Sequence, residues 1–404
     1  MERRSKMLTL SSPAGTQHRH AIAAVLALAA AGHAQAETTL IPYVTSLTTY
    51  DSNLYRVSSN AQLPVGADGS RSDLIFNNAA GLEGVYEWAQ QRFYGTVEGS
   101  RFNYLNNTSL DQNAFRFEGG LDWSLLGRVK GSLTAARSRT RSSFDNADNT
   151  VRNTQNQRTL AATTQFKLTN DLEVNGSFTN DVMRAPALNA PSFRLEQNTA
   201  STALNYLGIN RWTLGVIGSY GYGNYSGTGT DSTFTQYAGS GTLAYEASDI
   251  SNFQLAAGYT TREDAGRGGS TSGFTGSLGY ARELTGKTSL NINLARAVEA
   301  FQAGDNSVIA TSASIGLAWE ATAKIGATLN YGYTTSEYRA TGDVVTPFTG
   351  RTDDVHTVEF GVNYEALRWL QVSPALGYDR RTANQPGFDF DAFSASLQLT
   401  ARLE

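Results

Sequence analysis

Residues 309–335 alternate between apolar and polar side chains at every second position, along two long arms. Ile315 and Trp319 share one face of the first arm, and Leu329 and Tyr331 share one face of the second. A period of two is typical of an extended strand with one apolar face. Each arm has about 11 residues, the length that a tilted strand needs to cross a bilayer. The segment therefore predicts a β-hairpin whose apolar face meets lipid.

The same alternation recurs in eighteen segments of the chain, starting near residue 39. The connections between them are alternately short and long, and the long ones are rich in Gly, Asn, Asp and Ser. Outer-membrane barrels have short periplasmic turns and longer extracellular loops. A soluble β-propeller would instead show an internal repeat of about 40–50 residues, and none is visible. We therefore predict an all-β fold, a transmembrane antiparallel up-and-down β-barrel of about 18 strands.

Tryptophan gives an independent indication of the two rims. Every tryptophan lies beside a short connection, whereas Tyr and Phe recur at the opposite strand ends. Aromatic side chains gather at both membrane interfaces because they combine an apolar ring with a polar edge. The predicted periplasmic aromatic girdle consists of Trp88, Trp123, Trp212, Trp319 and Trp369.

The N-terminal segment has the three parts of a secretory signal. Basic residues precede the apolar run 21–31, and Ala34-Gln35-Ala36 matches a small-x-small cleavage site. We expect residues 1–36 to be a signal peptide and residues 37–404 to form the barrel. The whole chain lacks cysteine, so the sheet and its packing must hold the exported fold together without disulfides. We expect localisation as an integral protein of the outer membrane of a Gram-negative bacterium.

Composition after residue 36 excludes several functional classes. The chain has 32 basic and 36 acidic residues, and 28 and 35 of them remain when residues 1–36 are removed. The net charge is then 28 − 35 = −7, so we expect no nucleic-acid partner. His356 is the one histidine that remains, and zinc sites built from Cys and His are therefore excluded. We expect no metal, no cofactor and no enzymatic activity. A Ser–His–acid hydrolase acting on lipid or sugar would need His356 as its base.

If the apolar faces point outward, the alternate positions line the lumen. These positions carry charges of both signs, and the acids concentrate on the second to fourth strands. Such a wall suits a water-filled interior, or a conduit for a hydrated, hydroxylated substrate. The candidate lumen-lining residues are Glu83, Glu87, Glu98, Arg116, Glu118, Asp122, Lys130, Lys324 and Asn330.

Three arginines come after the apolar residues of the fifth strand and, because they also occupy every second position, lie on the same face. Arg137, Arg139 and Arg141 should therefore point outward, just above the hydrocarbon. There they could pair with phosphate groups of lipopolysaccharide in the outer leaflet. A solvated rim without a lipid partner is the alternative.

Several short motifs resemble a known family. They are Pro42-Tyr43-Val44, the run from Thr49 to Arg56, Ser72-Asp73, Gln91-Arg92-Phe93 and the run from Arg137 to Phe144. Together they are similar to the outer-membrane barrel encoded in exopolysaccharide biosynthesis loci, which accompany exosortase-type systems. The resemblance implies a part in exopolysaccharide biosynthesis and secretion, as a passive polysaccharide passage or an accessory to it. It also implies polysaccharide and periplasmic export components as partners, besides outer-membrane lipids.

Two other functions remain open from the sequence. A general porin for small solutes would share the architecture, and an outer-membrane hydrolase would depend on His356. If a strain that lacks the protein loses its surface polymer, the secretion function is favoured. Channel conductance with a normal polymer phenotype would favour the porin.

Overall fold

The computed structural model describes most of the chain after the predicted signal peptide. Residues 1–35 of that peptide lie outside the described part, and the first strand begins at Ala36. The described residues are 36–63, 67, 69–125, 127–141, 144, 154–185, 193–227, 232–265, 269–300, 307–339 and 349–403. Within them, no helix is long and apolar enough to cross a membrane.

The alternating segments form eighteen antiparallel strands in one sheet, which confirms the predicted fold class. The described residues also include a short 3-10 turn, Thr108–Leu110. The strands are β1 (Ala36–Asp51), β2 (Asp73–Trp88), β3 (Gln91–Tyr104), β4 (Gln112–Leu125), β5 (Val129–Arg141), β6 (Thr154–Lys167), β7 (Leu172–Ala185), β8 (Phe193–Ile209), β9 (Trp212–Ser226), β10 (Ser232–Ser248), β11 (Ser251–Ala265), β12 (Gly269–Thr285), β13 (Thr288–Ala300), β14 (Ser307–Thr322), β15 (Ile325–Arg339), β16 (Thr352–Leu367), β17 (Leu370–Ala383) and β18 (Phe390–Arg402).

The sheet closes on itself because the first and last strands pair. β1 and β18 are in register from Tyr43 opposite Arg402 to Asp51 opposite Ser394, and β1 also pairs with β2 along its whole length. Each other strand pairs with its neighbours in sequence. A closed barrel leaves no unpaired strand edge, so every backbone N–H and C=O in the membrane can find a partner.

The two faces of the sheet have opposite chemistry. Leu329 lies opposite Phe360, and both are more than two-fifths exposed on the outer face. The next pair, Asn330 opposite Glu359, points into the lumen. In a soluble protein apolar side chains face inward, whereas here they form the outside of the cylinder. The outer face therefore suits contact with the hydrocarbon chains of lipid.

The short turns and the longer loops lie at opposite ends of the barrel, as predicted. At the short-turn end, register shifts occur beside several turns, for example between Glu246 and Ser248. At the other end, some strands are longer than the sequence indicated. β11 continues to Ala265 and β12 begins at Gly269, beyond the last residues that alternate between apolar and polar. Both faces are polar there, so the apolar alternation ends before the hydrogen-bonded ladder does.

Candidate functional site

The wall of the lumen at the level of β4–β9 is made of hydroxyl, amide and charged groups. A recess of about 690 Å³ in this wall is lined by inward side chains that include Asp122, Lys130, Gln165, Asn175 and Ser201. Hydroxyls of neighbouring strands hydrogen-bond across it, for example between Ser177 and Ser201 at 2.6 Å. Such a surface offers many hydrogen-bond donors and acceptors and little apolar contact, which suits hydrated solutes.

The predicted lumen residues all lie at inward register positions or, for Lys324, in the β14–β15 turn. The residues are Glu83, Glu87, Glu98, Arg116, Glu118, Asp122, Lys130, Lys324 and Asn330. Three of them take part in the two closest local pairs. The Arg116 guanidinium lies 2.8 Å from a Glu118 carboxylate oxygen, and the Tyr43 hydroxyl donates to Glu98 at 2.8 Å. The acids of β2–β4 therefore stand among partly compensating arginines rather than forming a bare acidic patch.

The five tryptophans lie at the short-turn end. Trp88, Trp123, Trp212 and Trp319 occupy outward positions near the ends of their strands, and Trp369 lies in the β16–β17 turn. Trp212 stacks on Tyr245 of β10 with ring centroids 4.0 Å apart. Outward rings at this height match an interfacial girdle.

The first extracellular loop folds into the barrel instead of standing above it. Leu54 and Tyr55 are 1% and 2% exposed, although they follow β1 directly. They pack with Tyr104, Leu110 and Phe144 in a small apolar core. Tyr104 belongs to the inward face of β3, because it lies opposite Ile75 next to the loop. The loop thus covers part of the lumen from the extracellular side.

Arg71 holds the described part of this loop in shape. Its guanidinium donates to the carbonyl oxygens of Val57, Ser58, Ser59 and Ala61 at 2.8–3.3 Å. Backbone carbonyls of a loop have few other partners inside a barrel, and leaving one unsatisfied is costly. One arginine therefore replaces the hydrogen bonds that regular secondary structure would provide.

Asp73 joins the first loop to the loop between β3 and β4. Its buried carboxylate accepts hydrogen bonds from the backbone N–H groups of Asn106 and Asn107 and from the Asn107 side chain, at 2.8–3.0 Å. The Asn107 Oδ1 in turn accepts from the Tyr55 hydroxyl at 2.9 Å. The charged acceptor makes these bonds stronger than neutral ones.

The residues between β1 and the loop core fasten it to the last strand. Ser52 exchanges hydrogen bonds with the backbone of Phe393, and the Asn53 side chain donates to the Asp391 carbonyl at 2.9 Å. Arg56 has a left-handed backbone (φ 52°), and its Nη1 reaches both carboxylate oxygens of Asp51 at 2.9 Å. The motif from Thr49 to Arg56 therefore builds the inward turn of the chain.

Arginines and aspartates surround the cavity beneath this loop. We call Arg56, Arg141, Asp353, Asp379 and Arg381 the mouth cluster; all five line a cavity of about 340 Å³. The Arg381 guanidinium lies 4.7 Å from the Phe390 ring centroid, and Arg56 lies 3.7 Å from the Asp379 carboxylate. Arginine faces stacked on rings keep their N–H edges available for hydrogen bonding.

Arg141 corrects one prediction from the sequence. It was expected to point outward with Arg137 and Arg139, but it stacks on the rings of Tyr104 and Phe144, at 5.3 and 4.7 Å. These rings belong to the apolar core of the first loop. Because β5 ends at Arg141, strand parity no longer fixes the direction of its side chain. The other two arginines remain exposed on the outer face.

The mouth cluster spans a large part of the barrel. The cavity is lined by Arg141 of β5 and by Ser336 and Tyr338 of β15. Counting from β15 through β18 to β1 and on to β5 gives 3 + 1 + 4 = 8 steps in a ring of 18 strands. Strands nine steps apart would be diametrically opposite. The cavity beneath the first loop therefore has residues from nearly opposite sides of the barrel in its lining.

His356 lies on the outer face, away from this site. Its Nδ1 is 2.9 Å from the Tyr331 hydroxyl, and its ring packs beside Tyr333. In a Ser–His–acid triad the acid lies at Nδ1 of the histidine and the serine at Nε2, whereas the partner at Nδ1 of His356 is a tyrosine hydroxyl. Among the residues with described positions, no cluster of three His, Asp or Glu side chains could hold a metal ion.

A closed barrel with an apolar exterior, a polar lumen and interfacial aromatics decides where the protein resides. The chain is an integral outer-membrane β-barrel. A family described as "Putative beta-barrel porin 2" matches residues 224–403, which span the C-terminal nine strands and the end of β9. Comparison with curated proteins gives no significant match.

Solved structures of outer-membrane proteins resemble the barrel at low sequence identity. OpdK from Pseudomonas aeruginosa is 10% identical, with a TM-score of 0.48 over 90% of this chain and 99% of that one. OccK9 (OpdG) from the same organism is 11% identical, with a TM-score of 0.48 over 91% and 99%. The siderophore receptor PirA from Pseudomonas aeruginosa is 12% identical, with a TM-score of 0.47 over 90% and 80%.

Proposed function

We propose that the barrel is a passive channel for hydrophilic, hydroxylated solutes, with a mouth narrowed by its first extracellular loop. The observation that carries the proposal is the polar wall of the lumen beneath that loop. Inward hydroxyl and amide groups such as Thr163, Asn175 and Ser201 can replace the hydration shell of a passing solute. The match to a porin family over residues 224–403 supports the same class.

The narrow mouth favours small solutes over a polymer. Leu54, Tyr55 and Phe144 form a packed core inside the mouth, and Arg71 and Asp73 hold the surrounding backbone. A polymer of large cross-section would have to displace this core. A small sugar or a similar solute would need only the space that the mouth cluster leaves.

Exopolysaccharide secretion is the second candidate, and one observation favours it. The motifs on which the resemblance rests, Thr49 to Arg56 and Ser72-Asp73, are the residues that hold the first loop in the mouth. If the protein secretes exopolysaccharide, the first loop would close the lumen and move aside when polysaccharide passes. Periplasmic components of an export system would then be partners.

Two measurements separate the candidates. Proteoliposomes containing the barrel should take up mono- and disaccharides faster than protein-free liposomes, with rates that fall steeply for larger oligosaccharides. A strain without the protein should keep normal surface polymer. Loss of surface polymer with accumulation in the periplasm would favour secretion instead. Liposomes as tight as the protein-free ones, together with normal polymer, would reject both candidates.

A further inference from the structure

Five arginines lie together on the outer face of β5–β8 near the extracellular end. They are Arg137, Arg139, Arg158, Arg184 and Arg194, and we call them the arginine patch. The register places them on the same face as the exposed apolar residues Leu133, Leu160, Phe178 and Leu204 of these strands. The patch therefore faces the membrane or its surface and not the lumen.

The register sets arginines directly opposite one another. Arg137 pairs with Arg158 across β5 and β6, and Arg184 pairs with Arg194 across β7 and β8. Like charges directly opposite each other destabilise a sheet. Two such pairs side by side need negative charge from elsewhere to be compensated.

The protein itself supplies little of that charge. Within the described residues, the carboxylate that forms an ion pair with the patch is Glu196, which binds Arg194. Arg137, Arg139, Arg158 and Arg184 form no ion pair with any described residue. Five guanidinium groups against one carboxylate leave an excess of four positive charges. Arg262, by contrast, has the carboxylate of Asp264 beside it at 3.1 Å.

A hydrogen-bonded frame holds part of the patch in place. The Arg158 guanidinium donates to Asn180 Oδ1 at 2.9 Å, and the Asn180 amide donates to Asn198 Oδ1 at 2.9 Å. Asn180 is 9% exposed, so this frame is largely buried on a face that otherwise meets lipid. The frame orients Arg158 and leaves its other N–H groups for an external acceptor.

The height of the patch matches the outer lipid headgroups. Leu160 and Arg158 are successive outward residues of β6, so the change from apolar to cationic takes about 7 Å along the strand, at about 3.3 Å per residue. The patch begins where the apolar band ends, on the side of the long loops. A cation there meets the headgroups of the outer leaflet rather than the periplasmic one.

We propose that the arginine patch binds the phosphate groups of lipopolysaccharide, the phosphorylated glycolipid of the outer leaflet. Guanidinium groups bind phosphate oxygens through two parallel N–H···O bonds and remain charged at any physiological pH. The two facing pairs provide cationic sites on neighbouring strand pairs for a lipid with more than one phosphate. The site extends the sequence prediction, with Arg141 removed and Arg158, Arg184 and Arg194 added.

The test measures lipid bound to the intact barrel in nanodiscs by native mass spectrometry. The probes are diphosphorylated lipid A, its dephosphorylated form and inorganic phosphate. The variant R137Q/R158Q/R184Q/R194Q should bind lipid A about tenfold more weakly or worse, because one charge-assisted hydrogen bond is worth on the order of a factor of ten. The control R296Q/R380Q removes two outward arginines that do not face another arginine, and it should bind as wild type does.

A second readout separates binding from folding. Without lipid, the patch variant should unfold at the same or higher urea concentration than wild type, because repulsion between facing arginines is removed. Equal lipid A binding by the patch variant and the control would overturn the proposal. Binding of dephosphorylated lipid as tight as that of lipid A would also overturn it, and so would displacement of lipid A by equimolar inorganic phosphate.

Discussion

Asp73 holds the first loop and the loop between β3 and β4 together through hydrogen bonds to its carboxylate. Its carboxylate is 1% exposed and accepts from the backbone of Leu74, Asn106 and Asn107 and from the Asn107 side chain. Four donors converge on one charge, so losing the charge weakens four bonds at once.

We expect Asp73→Asn to lower the free energy of unfolding by about 2 kcal/mol, because hydrogen bonds to a charged group are each worth about 1.5–3 kcal/mol. Protease added outside cells should then cut within residues 52–72. The control is Asp249→Asn, which removes the same charge from an exposed short turn. Equal protease resistance of D73N and wild type would show that Asp73 does not hold the loop.

Gly81 is required because the Tyr43 ring lies against it. A Cβ built at Gly81 would come 2.4 Å from the Tyr43 ring, whereas a Cβ at Gly99 would meet nothing within 4 Å. We expect Gly81→Ala to destabilise the barrel by about 1–3 kcal/mol, the usual cost of overpacking. It should also break the hydrogen bond from Tyr43 to Glu98. Gly99→Ala on the next strand should be neutral in the same urea titration; equal effects of the two substitutions would contradict this reading.

At the scale of the strand, alternation makes a prediction that labelling can check. The chain has no cysteine, so a single introduced thiol is the only reactive group. Asn330→Cys should react quickly with a charged, membrane-impermeant maleimide in folded barrels, because that position faces the water-filled lumen. Leu329→Cys should react slowly, because it faces lipid. The opposite order would mean that β15 is inverted.

The strands could be predicted from the sequence because their signal is local. A period of two over ten residues, with Trp319 beside a turn, identifies β14 without knowledge of any other strand. The signal fails where the apolar stripe stops. For this reason alternation does not reveal that β11 continues to Ala265, and parity assigns Arg141 to the outer face, where the structure does not put it.

The arginine patch could not be found from one strand. Arg158, Arg184 and Arg194 are unremarkable polar residues in sequence, and they become a site only when the register brings them beside Arg137. Strand register depends on pairing between segments separated by loops. One signal was available in the sequence. In four successive strands, the lipid-facing positions change from apolar residues to arginine at the same end.

At the scale of the whole molecule, closure and the inward loop are the features that determine function. The even strand count that the sequence predicted makes β1 and β18 antiparallel, so that they can pair and close the barrel. The inward path of the first loop does not follow, because it depends on Asp73 binding Asn107, 34 positions further along the chain, and on Arg71 binding carbonyls within residues 57–61. Gly-rich polar loops have the same composition whether they fold in or stand out.

Shortening the first loop tests whether this loop narrows the passage through the barrel. The Leu54 N–H donates to the Arg71 carbonyl at 2.9 Å, so a short Gly-Ser linker can replace residues 54–70 without stretching the strands. Folding of the shortened barrel is checked by its heat-modifiable mobility in gels. Its buried core of Leu54 and Tyr55 would be gone, and the mouth would be wider.

The decisive measurement is the single-channel conductance of both proteins in planar bilayers. We expect wild type to conduct ions through a narrow mouth and the shortened barrel to conduct more, with uptake of larger sugars. Equal conductance of the two would contradict the claim that the first loop narrows the passage. No conductance from either folded barrel would contradict the claim that the lumen is a channel.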